Sequence, residues 1–453
     1  MAEAIRHDKT ARQLRLLSDA LDSGRLGPVR RLVNTLSAAE IGNLLESLPP
    51  GKREVVWGLV DPDDDGEVLV HVGDEVRESL IAEMDADELV AAASDLDIDD
   101  LADLVEDLPD TVIDEVLKSM DRENRERLEQ VLSYPEDSAG RLMNPDVVTV
   151  RTDTTVDVVL RYLRLRGELP DHTDHLYVVS RRHQYLGRIA LAALLTHEPG
   201  TPINKLIDDE QPAIDVDELS GEVARKFSDF DWISAPVVDE NNILLGRITI
   251  DDVVDIIREQ AEHQALSAAG LDEDEDLFSP VRRAFRRRVV WLGVNLGTAF
   301  IAAGVVGQFE GSIAQLVALA ALMPIVAGMG GNAGTQVLAL MVRGLALGQI
   351  GASNAVTLLR KELLVALFNG VCLGTLLGLI VLAWFRQPML SLVIGSALTI
   401  NFLIAASGGV LVPLMLKRFG FDPALAGGVI LTALTDTMGF LSFLGLATLI
   451  LLR

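Results

Sequence analysis

RRAFRRRVVWLGVNLGTAFIAAGVVGQ, residues 282–308, divides the chain into two chemically different parts. Five arginines (Arg282, Arg283, Arg286, Arg287 and Arg288) stop where an uninterrupted apolar run begins. A run of about 20 such residues is long enough to cross a hydrocarbon layer as a helix. Upstream, residues 1–281 hold 63 acidic and 27 basic residues, a net charge of −36. Downstream, residues 282–453 hold four acidic residues (Glu310, Glu362, Asp422 and Asp436) against 12 basic ones, a net +8. A polyanion is therefore joined to an apolar, slightly basic block. A chain of 453 residues is also too long for one core, so several domains are expected.

The apolar block reads as five spans, roughly 287–308, 312–343, 358–383, 388–416 and 424–450. The second and fourth are longer than a crossing needs, so a tilt or a break is expected. Lysine and arginine accumulate on the cytoplasmic side of membranes. With the N-terminus inside, the cytoplasmic flanks collect Arg282, Arg283, Arg286, Arg287, Arg288, Arg343, Arg360, Lys361, Lys417 and Arg418, and the outside receives only Arg386 and Arg453. The expected topology is N-in, C-out. Residues 1–30 are polar with no apolar central run, so no secretory signal is expected. The single cysteine, Cys372, excludes an intrachain disulfide, and a reducing cytosol suits the polar part. Gly370, Gly374 and Gly378 stand four apart, a spacing that allows close helix approach.

Residues 1–133 read as an acidic α-helical, superhelical domain. Leucines recur at helical spacing in Leu14–Leu21, Ile41–Leu48, Leu101–Leu108 and Val112–Leu117, with breaks at Pro49-Pro50-Gly51 and Pro109-Asp110. Residues 142–262 hold a duplication: Leu176-Tyr177-Val178-Val179 and Leu186-Gly187-Arg188-Ile189 return 59 residues later as Ala235-Pro236-Val237-Val238 and Leu245-Gly246-Arg247-Ile248. Thr149–Val159 and Ala213–Val223 match ahead of each copy. The pattern, with Leu142-Met143-Asn144-Pro145 leading into it, resembles tandem α/β CBS domains, assigned to 134–203 and 204–262. Such pairs are regulatory modules that often bind adenine nucleotides, so no enzymatic activity is expected. Val253, Ile256, Ile257 and Ala261 mark an amphipathic helix in a connecting segment, 252–278, which ends in the acidic run Asp272–Asp276. Residues 279–453 form the all-α, five-helix membrane domain.

Asp436, in Thr432-Ala433-Leu434-Thr435-Asp436-Thr437-Met438-Gly439, is the one acidic residue deep within a span. An ionisable group there is costly, which makes it a functional candidate, and Thr432 and Thr435 add hydroxyl oxygens. Gly328-Met329-Gly330-Gly331-Asn332-Ala333-Gly334-Thr335-Gln336 is glycine-dense enough to break a helix and expose carbonyl oxygens. Residues 281–453 contain no histidine. An oxygen-only donor set disfavours zinc and copper. One carboxylate among neutral oxygens suits magnesium, which keeps much of its water shell.

The arrangement resembles the MgtE family of magnesium channels and transporters over essentially the whole chain. Its most specific pieces are Tyr134-Pro135-Glu136-Asp137-Ser138-Ala139-Gly140-Arg141-Leu142-Met143, Gly330–Gln336 and Leu434–Gly439. The resemblance implies a homodimer in the bacterial inner membrane, surrounded by lipid, with one pore at the subunit interface. Asp436 and Asn332 fall on the family's pore residues. It further implies that magnesium ions between the acidic cytosolic domains hold a plug helix closed. Candidate sensor ligands are Asp99, Asp100 and Asp103; Asp215, Asp217, Asp229 and Asp231; and Asp252, Asp255, Glu259 and Glu262. Arg258, Gln260 and His263 interrupt the acidity of that helix, and Gly427 and Gly428 stand where some relatives place an asparagine. Asp171-His172-Thr173-Asp174-His175 reads as a solvated loop rather than a metal site. Magnesium is the expected ligand, with an adenine nucleotide possible at the CBS pair, and no nucleic-acid partner is expected. Two rivals remain: an ion-coupled secondary transporter of divalent cations, which should show more intramembrane ionisable groups or inverted repeats, and a membrane-anchored nucleotide sensor, which would not need Asp436.

Overall fold

The computed structural model describes Leu17, residues 19–21, Ser23, and residues 26–94, 96–267, 269–271, 276–351 and 354–451. It divides into two compact units, Met1–Gln260 with Asp274–Ser279, and Ala261–Glu273 with Pro280–Arg453.

The first unit begins with short helices: α1 (Leu26–Val33), α2 (Ala38–Glu46), α3 (Pro50–Trp57), α4 (Asp65–Val70), α5 (Asp74–Ile81), α6 (Ala86–Ser94), α7 (Ile98–Glu106), α8 (Asp110–Ser119) and α9 (Arg122–Leu132). Of the Leu14–Leu21 repeat, only Leu17 and residues 19–21 are described. Helix α2 shows why the elements are short but defined. Ser37 and Glu40 form a reciprocal capping box at its start, and Pro49-Pro50 ends the connection by opening α3. Each helix gives one apolar stripe to a shared core, such as Ile41, Leu44 and Leu45 from α2 and Leu101, Leu104 and Val105 from α7.

The duplicated region follows α10 (Ala139–Leu142) and builds two three-stranded sheets. The first holds β1 (Thr149–Arg151), β2 (His175–Val179) and β3 (Tyr185–Ala190); α11 (Val156–Arg166) lies between β1 and β2, and α12 (Leu191–Thr196) follows β3. The second holds β4 (Ile214–Asp215), α13 (Ser220–Phe230), β5 (Ser234–Val238) and β6 (Leu244–Thr249). In each sheet the first strand runs parallel to the second, and the third antiparallel to it. The offset of 59 is kept to the level of register: His175 pairs with Ala190 as Ser234 pairs with Thr249, and both sheets shift register at the matching place. Helices α11 and α13 are offset by 64, so the five extra residues lie in the loop after α11, where Asp171–His175 sits. The segment leading into each copy bridges the other copy's sheet, Asn144 to Arg247 and Asp208 to Arg188. The pair is thus interlocked through these two bridges.

The connecting helix, α14 (Ile250–Ser267), is shorter than the 252–278 segment assigned to it. Gly270, at φ 74°, takes the left-handed conformation that closes helices, and its N–H donates back to Ser267. Residues 272–275 of the acidic run lie outside the described residues. Beyond them, residues 276–279 belong to the first unit: Arg53, 2% exposed, donates to Asp276 at 2.8 Å and to the Leu45 and Leu48 carbonyls, and Glu75 accepts from Ser279 Oγ at 2.6 Å.

Among the described residues, five helices are long and apolar enough to cross a membrane. They are α15 (Val281–Gly307), α17 (Ala318–Ala346), α18 (Ala355–Phe385), α19 (Pro388–Arg418) and α20 (Pro423–Leu451), with short α16 (Glu310–Gln315) between the first two. The long second span is therefore broken, at Leu316-Val317. Helix α19 is central and packs on α17, α18 and α20. Gly370, Gly374 and Gly378 lie against Thr399, Gly395 and Ser391 of α19; a Cβ on Gly374 would stand 2.6 Å from the Gly395 carbonyl oxygen. They are packing glycines, as their spacing suggested.

Candidate functional site

Helix α7 buries Ile98, Leu101, Ala102 and Val105, which leaves Asp99, Asp100 and Asp103 on its other side. Two neighbours fix that side. Arg141, 4% exposed, donates to the Ala102 carbonyl at 2.7 Å and pairs with Glu106. Asn144 donates its amide to Asp97 and Asp99, at 3.2 Å each. The Tyr134–Met143 motif and the asparagine that follows it therefore organise the carboxylates of a helix about 40 residues upstream in sequence. Gly140 serves the same end, since a Cβ there would strike the Tyr134 ring at 2.5 Å.

The first turn of α14 brings Asp251 and Asp252 to this face. Asp252 accepts from the Thr249 N–H at 3.1 Å, fixing its position at the helix start. Burial, followed by the Asp252 charge, holds the Asp99 carboxyl well above the usual carboxylate range. Burial and then Asp97, Asp103, Asp251 and Asp255 push Asp100 up to about 7. Burial and then Asp251 do the same to Asp252, also to about 7. Asp103 is raised by desolvation although Arg141 and Arg77 oppose it. Glu259, farther along α14, is raised by desolvation and by Asp255, Asp103 and Asp74. The chemistry is that of like charges held together against their repulsion. Among the described residues, no three His, Cys, Asp or Glu side chains stand at direct metal-ligating spacing.

The remaining cytosolic candidates are dispersed. Asp255 is exposed, with Arg258 3.8 Å away, and Glu262 is exposed on the last turns of α14. Asp215 and Asp217 form an exposed turn in which the Asp217 N–H donates to Asp215. Asp229 and Asp231 are exposed at the end of α13, where Asp231 is the left-handed cap at φ 53°. The Asp171–His175 loop is more engaged than a solvated loop. Buried Arg247 donates to the Asp171 carbonyl and lies 3.4 Å from Thr173 Oγ1, and His172 lies 3.4 Å from Asp251.

In the membrane unit the glycine-dense stretch does not break: α17 runs continuously through Gly328–Gln336. Its glycines give close packing instead. Gly334 abuts Leu431, and a Cβ on Gly331 would lie 3.9 Å from the Thr435 hydroxyl. This contact sets the turn carrying Asn332 beside the turn carrying Asp436. Asn332 and Thr432 are exposed, Asp436 is half-buried, and Thr435 is buried with its hydroxyl donating to the Thr432 carbonyl at 3.1 Å. Sequence reasoning missed Asn401, which is fully buried on α19 and donates to the Val326 carbonyl at 2.9 Å. An uncharged amide escapes a search for charges, although an asparagine inside an apolar run is itself a signal.

Family profiles match three parts of the chain: the MgtE intracellular N domain over residues 36–137, the CBS domain over 139–200 and 206–259, and the divalent cation transporter (MgtE) over 323–446. The magnesium transporter MgtE of Thermus thermophilus is 30% identical over 442 residues, 96% of this chain and 98% of that protein. The magnesium transporter MgtE of Bacillus subtilis is 28% identical over 430 residues, 94% of this chain and 95% of that protein. A crystal structure of the cytosolic domain of the magnesium channel MgtE in complex with ATP is similar over 53% of this chain and 98% of its own, at 30% identity and a TM-score of 0.48.

Proposed function

The chain belongs to the MgtE family, and from that premise we propose that it is a magnesium-selective channel that its own acidic cytosolic unit opens and closes. Magnesium is the cargo and also the signal. Asp436 is the pore carboxylate, with Asn332 and Thr432 supplying neutral oxygens around a largely hydrated ion; Thr435, expected to join them, is fully buried with its hydroxyl bonded to the Thr432 carbonyl and packs behind them instead. The donor set fits magnesium better than zinc, since residues 281–453 hold no histidine and their one thiol is Cys372.

The observation that carries the gating reading is the meeting of Asp99 and Asp100 from α7 with Asp252 from α14. Burial and then neighbouring carboxylates raise the pKa of all three, so their charged forms are held together at a cost. Cations bound there, through their water shells, offset the repulsion and hold the connecting helix. When magnesium is scarce the carboxylates repel, the contact loosens and the pore opens. The same reading has the chain acting as a homodimer in the bacterial inner membrane, N-terminus in the cytosol and C-terminus outside. An adenine nucleotide at the CBS pair belongs to it too, resting on the CBS profile match, and titration calorimetry with ATP tests it. Asp103, Asp215, Asp217, Asp229, Asp231, Asp255, Glu259 and Glu262 would add outer, more weakly held cations.

The test is magnesium flux in proteoliposomes, with the ion varied independently on the two sides. Influx down a gradient should need no proton or sodium gradient and should stop as magnesium rises on the cytosolic side. Flux strictly dependent on a second ion gradient would overturn the channel reading, and flux indifferent to cytosolic magnesium would overturn the gating.

A further inference from the structure

Asn401 stands at the middle of α19 with its side chain 0% exposed. Its amide nitrogen donates to the Val326 carbonyl of α17, and its Oδ1 is buried without a hydrogen-bond partner. Two glycines make room for it. A Cβ on Gly330 of α17 would lie 2.0 Å from the amide nitrogen, and a Cβ on Gly439 of α20 would lie 2.7 Å from it. The side chain thus fills a slot between the helix that carries Asn332 and the helix that carries Asp436. Gly439 is three residues past Asp436 and Gly330 two residues before Asn332. An apolar side chain of similar size would fill this slot without leaving a buried acceptor unsatisfied, a feature that lowers stability. Packing alone gives no reason for an amide here.

We propose that Asn401 is a positioning residue for ion passage, which sets the spacing of α17 and α20 and thereby of Asn332 and Asp436. It touches no ion itself. Its one hydrogen bond holds one helix by a backbone carbonyl, while its bulk holds the other by close contact at Gly439. This inference rests on the proposed transport function.

The experiment compares Asn401→Ala and Gly439→Ala with Gly445→Ala, a control on the same helix where an added Cβ meets nothing within 4 Å. Magnesium flux in proteoliposomes is measured per folded molecule. Spin labels at Leu340 of α17 and Ile430 of α20, both exposed, report the helix separation in a Cys372→Ser background. Asn401→Ala and Gly439→Ala should each lower the maximal flux at least about tenfold, the scale expected when a ligating group moves by about an ångström. Both should shift or broaden the label distance, and Gly445→Ala should do neither. Parent-like flux in Asn401→Ala would overturn the proposal, as would an altered flux with an unchanged distance. If the parent carries no magnesium, the transport function fails instead, and a helix separation that Asn401→Ala leaves unchanged would overturn the positioning role separately. Should Asn401→Ala not fold, Gly439→Ala carries the comparison alone.

Discussion

In the cytosolic unit Asp99, Asp100 and Asp252 are gathered from two elements onto one face, where burial and then neighbouring carboxylates raise their pKa. In the membrane unit Asp436 is the one carboxylate deep in a span, and the other buried polar groups are few and scattered. Glu362, 5% exposed, is paired with Lys361 at 2.7 Å near the start of α18, and Asn401 sits alone in its slot. The difference follows from the two solvents. In water a single carboxylate is easily tolerated and says little, so specificity has to come from convergence. In hydrocarbon a single carboxylate is expensive, so its mere presence is informative. The same residue type therefore acts collectively on one side and singly on the other.

Breaking the membrane side should give the largest effect. Asp436→Ala removes the only deep charge and should abolish magnesium uptake while the protein still folds. Asp436→Asn keeps the shape and should remain severely impaired. Growth rescue of a magnesium-uptake-deficient cell is the readout, and near-normal rescue by either variant would end the assignment. On the cytosolic side the strongest single lesion is Arg53→Ala, which leaves Asp276 buried without its cation and frees two carbonyls. Removing one partner of a buried pair costs about 3–5 kcal/mol. Hydrogen exchange across α2 and α3 should accelerate accordingly, with Asp436→Ala as the unaffected control.

This contrast also explains what could be read in advance. The five spans, the helical N-domain and the duplicated α/β units were legible because apolar length and repetition are written directly in residue order. The offset of 59 even carried the strand register. The continuity of α17 through Gly328–Gln336 was not legible, because glycine density signals both a broken helix and a closely packed one. Only the neighbours Asn401, Leu431 and Thr435 distinguish them. Nor could 63 acidic residues be ranked by type alone. The packing of α7, Asn144 and the start of α14 singles out Asp99, Asp100 and Asp252, and leaves Asp215, Asp217, Asp229 and Asp231 on open surface.

Neutralising the gathered carboxylates sharpens the comparison at intermediate scale. Asp99→Asn, Asp100→Asn and Asp252→Asn together remove the repulsion and keep the shapes. The connecting segment should then resist protease without magnesium. Flux should accordingly lose most of its response to cytosolic magnesium, since both the repulsion and the carboxylates that hold the ion are gone. The same triple change at Asp215, Asp217 and Asp229 should have little effect. Equal effects from both sets would mean that total charge, rather than convergence, controls the domain.

The smallest expected effect is a dependence on pH in the absence of divalent ions, and its sign follows from the raised carboxyls. Asp100 and Asp252 have pKa values raised to about 7 in the packed arrangement, and Asp99 is raised in the same direction. They hold protons more tightly there than when α7 and α14 separate and each carboxyl returns towards an ordinary value near 4. The packed arrangement therefore gains stability as pH falls through about 7 and loses it as pH rises. Hydrogen exchange of α7 and the first turns of α14 should slow between pH 8 and pH 6 without magnesium, and millimolar magnesium should flatten the profile. Asp100→Asn with Asp252→Asn should flatten the response in the same way. A profile that instead tightened towards pH 8 would show the carboxylates to be stabilised by their surroundings, and the idea of a cation-hungry cluster would fall with it.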